Sequence, residues 1–329
     1  MKKLPIIGIT MGDPAGIGPE IVVQSLNEKG IREFCIPVVI GSSGPLEEVM
    51  GVLGIKIPLE KIREGEKISL SEEKIPFIDI PLSHNYRDTK LSAQNGAVSL
   101  EYIHKAVDML NKEHLQGLTT APTNKEAMHK AGLNCAGVTE LLAGLANIPE
   151  YSTVQIQGGV YIFQMTTHVP LRKALEKITE DNIYDFVKYV HRILLNLGIK
   201  IPKIGISGIN PHAGEGGVLG DEEQTVFAPA IKRLREGQIA ISDPQPVDTL
   251  FIQGLRGRYD ALVYLFHDTA NTAIKTAAKE FPPVVVTAGL PYIRTTVAHG
   301  TAYDIAYKGI ADWKQFREAI ITAAMLVEI

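Results

Sequence analysis

Cysteine is scarce in this chain. Two residues, Cys35 and Cys135, among 329 cannot build a disulfide framework or a four-cysteine zinc site. No run of about 18 consecutive apolar residues occurs, so no transmembrane helix is expected. The first apolar run is short and is stopped by Gly12-Asp13-Pro14, unlike the longer core of a signal peptide. With so few cysteines, the cytoplasm is the expected compartment. A basic block is also missing. Lys and Arg number 33 against 37 Asp and Glu, a net charge of −4, which argues against a nucleic-acid partner. There is no internal repeat and no Ser/Gly-rich linker, so any domain junction is expected to be a structured crossover.

What remains is an ordinary globular composition, 45% hydrophobic and 21% charged. The length suits two domains or one large one. The 30 glycines and 19 prolines imply many turns. Apolar runs of strand length recur at Leu4–Thr10, Pro37–Gly41, Leu118–Ala121, Lys203–Ser207, Ala261–Phe266 and Pro283–Thr287. Their unbroken apolar character fits strands covered on both faces. Helical periodicity lies between them. Ala97, Leu100, Ile103, Val107 and Leu110 share one face of Ala93–His114. Ile183, Phe186, Val187, Val190, Ile193 and Leu194 do the same before Gly198, a candidate C-terminal cap. Glu222–Arg235 and Trp313–Val327 are further helices. The order is α/β. The junction is placed near residues 125–135, giving a first domain of 1–130 plus 305–329 and a second of 131–304.

Four segments stand apart. Thr10–Glu20 is a glycine-rich strand-to-helix turn with Pro19 in the first helical turn. Such a turn can aim backbone N–H groups at an anion, or can simply be a tight connection in which Asp13 starts the helix and Glu20 faces solvent. It is neither a dinucleotide fingerprint, because Ile21 stands at the third glycine, nor a Walker loop. The other three segments each carry a histidine at the end of a strand-like run: His168, His212 and His267. Ligands in open α/β sheets bind at the carboxyl ends of strands. Three neutral imidazoles arriving there could make a metal site with open positions, and Asp268 could fix a tautomer. Each alone reads more readily as a structural or surface histidine, and the matching contexts of all three favour the joint reading. His84, His104, His114, His129 and His191 read as structural, with His299 held in reserve. Lys125 reads as surface, while Lys275 and Arg294 could bind a phosphate or carboxylate.

Together the motifs resemble the 4-hydroxythreonine-4-phosphate dehydrogenases of pyridoxal phosphate synthesis. The resemblance runs through Gly8–Glu20, Ala121–Ala127, Thr167–Leu171, Asn210–Gly217, Asp248–Phe251, Gly289–Thr295 and His299–Ala306, nearly the whole chain in order. It implies two α/β/α domains with a central cleft, like isocitrate and isopropylmalate dehydrogenases. It also implies a homodimer whose site takes residues from both subunits. The implied chemistry is oxidation of a hydroxyl of a phosphorylated hydroxy acid, first of all 4-hydroxythreonine 4-phosphate, with NAD or NADP, then decarboxylation, aided by a divalent metal such as zinc, cobalt or magnesium. On the matching positions, His168, His212 and His267 are the implied metal ligands. Thr139, Lys275 and Arg294 are the implied substrate contacts. Lys275, Asp248 and Asp268 are the implied catalytic residues, with Lys275 as proton donor or anchor. Ligand histidines must be neutral, so metal affinity is expected to fall below about pH 6.5.

Two positions depart from the family pattern. Val138 stands where a histidine is usual, and Val285 where an asparagine is usual. Two polar contacts have become apolar, which points to a changed substrate. A paralogue acting on threonate or erythronate 4-phosphate, or on a dihydrodiol acid, is one alternative. A metal-dependent hydrolase, or a ligand-binding protein without activity, is another.

Overall fold

The apolar runs become strands within one or two residues of their expected limits. The computed structural model describes residues 4–28, 30–63, 66, 68, 71, 73–87 and 91–327, so the basic start at Lys2-Lys3 lies outside the described residues. In chain order come β1 (Ile6–Thr10), α1 (Gly18–Asn27), α2 (Ile31–Phe34), β2 (Ile36–Gly41), α3 (Ser43–Leu53), β3 (Leu59–Lys61), β4 (Ile75–Asp79), α4 (Ala93–Asn111), β5 (Gly117–Thr120), α5 (Lys125–Lys130) and α6 (Val138–Leu145). Next are β6 (Ser152–Gln157), β7 (Val160–Thr166), α7 (Leu171–Glu176), α8 (Glu180–Asn196), β8 (Lys203–Ile206), α9 (Ala228–Glu236), β9 (Ala240–Ile241), α10 (Val247–Leu255), β10 (Ala261–Phe266) and α11 (His267–Ala277). The chain finishes with β11 (Val284–Ala288), β12 (Ile293–Thr296) and α12 (Lys314–Val327).

These elements form two compact units, residues 1–153 with 284–329, and residues 154–283. The boundaries fall at 153/154 and 283/284, later than the expected first crossing and earlier than the expected second. Two contacts explain the difference. Leu133 and Leu142, beyond the expected limit, are buried in the same core as Ile7, Ile9 and Leu118 of the first unit. Strand β12 is hydrogen-bonded into the first unit beside β5, with Arg294 opposite Leu118.

In the first unit, β3, β4, β2, β1, β5 and β12 pair in parallel in that order, and β11 closes antiparallel on β12. Ile7 and Ile9 of β1 and Val38, Val39 and Ile40 of β2 are fully buried beneath helices on the sheet. Helix α4 starts at Ser92, whose Oγ accepts from the Asn95 N–H at 3.0 Å. Its buried face runs through Val98, Tyr102, Ile103, Ala106, Val107 and Leu110, while Ala97 is exposed. The face is rotated from the expected one because Tyr102 enters the core with its hydroxyl bonded to Ser42. In the second unit, β6 pairs antiparallel with β7, and β7, β10, β8 and β9 continue in parallel. Helix α8 buries Ile183, Val187, Val190, Ile193 and Leu194 as its period predicts, and Gly198 follows its end at φ 88°.

Candidate functional site

In the second unit, register decides which side chains meet. Phe266 of β10 pairs with Thr166 of β7, so the two strands end level. His168 lies two residues beyond β7, and His267 opens α11 directly after β10. Their ring centroids are 5.2 Å apart. The His267 Nδ1 and Asp268 Oδ1 are 3.0 Å apart, the contact expected to fix the tautomer and leave Nε2 free as a donor to a metal. His212 follows β8, on the other side of β10. Among the described residues, no three His, Cys, Asp or Glu side chains stand close enough to hold a metal. Two of the three candidate ligands come together in one chain, and His212 does not close the set.

Backbone conformation marks the same residues. His168 sits at φ 42° and His212 at φ 52°, in the left-handed region. A residue with a Cβ pays about 1–2 kcal/mol there. Such outliers persist where the surroundings fix them, commonly at functional positions. The donor chemistry of His168 and His267 thus fits a divalent metal.

Around α11 lies an open groove of about 620 Å³. Asp248, Phe251, Asp268, Thr272 and Phe281 line it. The two acidic candidates therefore share one groove, and both are exposed. Lys275 is exposed in the last turn of α11, seven residues and about two turns beyond Asp268 on the same face.

In the first unit the central feature is Arg294. It is 4% exposed on β12, between β5 and β11. It donates to Thr120 Oγ1 at 2.7 Å, Thr287 Oγ1 at 3.1 Å and Thr139 Oγ1 at 3.4 Å. Its Nε is buried without a partner. No carboxylate pairs with it among the described residues, although Glu140 is near enough to favour its charge. Burial pulls its pKa down to about 10. A buried cation without a counter-ion is costly. Each threonine hydroxyl that accepts from it keeps a proton to donate. The cluster thus offers an anion one charge and several O–H and N–H donors. Thr139 and Arg294 were legible in the sequence. Thr120 and Thr287 were not, and their signal was position: hydroxyls at or near the carboxyl ends of β5 and β11.

The substituted positions border this cluster. Val285 is two residues from Thr287 on β11 and so shares its face. Val138 opens α6 immediately before Thr139. Lys125 passes close by, since a Cβ on Gly137 would stand 3.1 Å from its Cε and 3.4 Å from Glu140 Oε2.

The glycine-rich turn is not an anion cradle. Four N–H groups at its centre are spent inside the protein: Asp13 on the Pro122 carbonyl, Gly16 on that of Asp13, Ile17 on that of Thr301 and Ala15 on the Asp13 carboxylate. The glycines permit close backbone approach, with a Cβ on Gly18 falling 2.1 Å from the Met11 oxygen. Glu20 is not a surface residue. It is 1% exposed and accepts from the Ala311 N–H at 2.8 Å. Asp13 is fully buried, its Oδ2 accepting from the Tyr303 hydroxyl at 2.6 Å. Burial raises the Asp13 pKa despite bonds from Tyr303 and Ala15. Of the remaining histidines, His84 bonds Asn95 at 2.7 Å, and His299 is exposed with Nδ1 beside the Gly300 carbonyl.

A family model described as the pyridoxal phosphate biosynthetic protein PdxA matches residues 33–323. The chain is 40% identical over 325 residues to a protein of Cupriavidus necator named D-threonate 4-phosphate dehydrogenase, covering 98% of this chain and 97% of that one. Two solved structures are similar along 99% of both chains. One, from Klebsiella pneumoniae, is titled 4-hydroxythreonine-4-phosphate dehydrogenase, with 35% identity and a TM-score of 0.83. The other, under the same enzyme name from Burkholderia phymatum, has 37% identity and a TM-score of 0.80.

Proposed function

The chain belongs to the pyridoxal phosphate biosynthetic protein PdxA family, and on that premise we propose that it oxidises and decarboxylates a phosphorylated four-carbon hydroxy acid. D-threonate 4-phosphate is the first substrate of choice, and 4-hydroxythreonine 4-phosphate the second. The carrying observation is Arg294, a buried guanidinium held by three threonine hydroxyls and ion-paired to no carboxylate among the described residues. That is a prepared seat for a phosphate or carboxylate. Val138 and Val285 favour threonate. An ammonium left unpaired beside them costs more than a hydroxyl.

When bound, a divalent metal polarises the substrate hydroxyl and a nicotinamide dinucleotide accepts the hydride. His168, His212 and His267 are the proposed metal ligands, with the set completed in a homodimer of this chain. Asp268 orients the His267 ring. Arg294, Thr139, Thr120 and Thr287 hold the substrate's anionic end and keep water from it. Lys275 is placed as anchor or as the donor that protonates the carbon left by carbon dioxide. Asp248 and Asp268 supply negative charge along the shared groove. The β1–α1 turn is a poor seat for a dinucleotide pyrophosphate, because the N–H groups of Asp13, Ala15, Gly16 and Ile17 are already bonded. The free thiols of Cys35 and Cys135 suit a cytoplasmic setting. No helix among the described residues is long and apolar enough to cross a membrane.

The test is a panel of D-threonate, D-erythronate and 4-hydroxythreonine 4-phosphates, assayed for nicotinamide reduction with NAD and NADP and with zinc, cobalt or magnesium. Reduction with a phosphorylated acid, and none with its unphosphorylated counterpart, is expected. Release of inorganic phosphate without nicotinamide reduction would establish the hydrolase reading instead.

A further inference from the structure

We propose that Glu223 is the positioning residue that fixes His212 for metal binding, an inference that rests on His212 being a ligand. His212 begins six consecutive residues with positive φ: 52°, 51°, 80°, 47°, 68° and 99° through Gly217. Three of them, His212, Ala213 and Glu215, carry a Cβ and resist that conformation. The segment therefore needs an outside clamp.

Glu223 supplies it. Its side chain opens a π-helical turn over Glu223–Phe227 and is almost buried. Its Oε1 accepts the N–H groups of Ile209 and Asn210, each at 2.9 Å, and Oε2 accepts from Asn210 Nδ2 at 2.9 Å. Both carboxylate oxygens are thus spent on the residues just before Pro211-His212. Glu222 Oε2 takes a further bond from Asn210 Nδ2 at 2.6 Å. The carboxylate is also wedged against the turn itself. A Cβ on Gly208 would stand 3.0 Å from Oε1, and one on Gly214 would stand 2.7 Å from Oε2. No cation pairs with Glu223 among the described residues, so its bonds serve geometry.

The experiment is cobalt(II) titration of the full-length protein, read by its visible spectrum and by competition with a chelator. Glu223→Ala is expected to weaken cobalt binding about 10–100-fold, the usual cost of losing an outer-shell partner. Glu223→Gln keeps an oxygen for the two backbone N–H groups but cannot accept from Asn210 Nδ2, so its loss is smaller. Adding Ala213→Gly to Glu223→Ala should restore part of the affinity, because glycine adopts positive φ freely. A role in folding alone would show no such rescue. Wild-type affinity and spectrum in both Glu223 variants, alongside weakened binding in His212→Ala, overturn the positioning role only. Unchanged binding in His212→Ala overturns the ligand assignment and this inference with it. If Glu223→Ala does not fold, Glu223→Gln with and without Ala213→Gly decides the matter: tight binding in both overturns the proposal.

Discussion

In the first unit the ionisable groups of interest are buried: Asp13, Glu20 and Arg294 are 0%, 1% and 4% exposed. In the second unit His168, His212, Asp248, Asp268 and Lys275 face solvent. The two arrangements suit different tasks. A buried guanidinium fixed by three hydroxyls has its geometry set before a ligand arrives, so it can select shape and charge. Exposed imidazoles on strained backbone lack that enclosure, and a bound ion can order them.

The largest effect is expected from breaking the histidine set of the second unit. His267→Ala should lose metal and about a thousandfold in kcat, equivalent to roughly 4 kcal/mol. Inorganic phosphate binding, measured by calorimetry, should survive. Loss of phosphate binding as well would mean that the two clusters do not act separately. Next, Arg294→Lys keeps the charge but loses the fork, and should raise KM about 10–100-fold with metal content unchanged. A raised KM would also settle that Arg294 meets substrate. Thr120→Val removes one acceptor from the same guanidinium and should cost about 1 kcal/mol, near a fivefold rise in KM.

The smallest test concerns Asp13, which burial holds above the ordinary carboxylate value of 3.8. The folded state then keeps its proton to higher pH than the unfolded chain. Stability contributed by this group falls as pH rises through that interval. Thermal unfolding of Asp13→Asn should therefore gain on the wild type as pH rises from the ordinary carboxylate range. A constant difference across pH would show that Asp13 is not penalised by burial.

Much of the fold was legible because continuous apolar runs bounded by Gly, Pro and Asn mark buried parallel strands. Ala261–Phe266 was read with its observed limits. Strand β12 was not, since Ile293-Arg294-Thr295-Thr296 carries a charge and two hydroxyls. Its polar residues find partners far away in sequence: Arg294 bonds Thr120, and Thr295 bonds the Ala319 carbonyl. The limits of the two units depend on the same pairing to β5, which is not a local property. At the site, residue types were legible and mutual distances were not. His168 and His267 meet through the β7–β10 register, whereas nothing in the spacing of His212 says how its turn is aimed.

The place of β12 has a consequence for the order of synthesis. It covers the flank of β5, yet it follows Thr120 by about 170 residues. At ribosomal speeds of about 5–20 residues per second, that is a wait of roughly ten to thirty seconds. Through that interval β5 presents unpaired N–H and C=O groups on its outer side, while residues 154–283 emerge as a complete folding unit. The sheet of the first unit thus cannot be completed on that flank until residues 293–296 have been made.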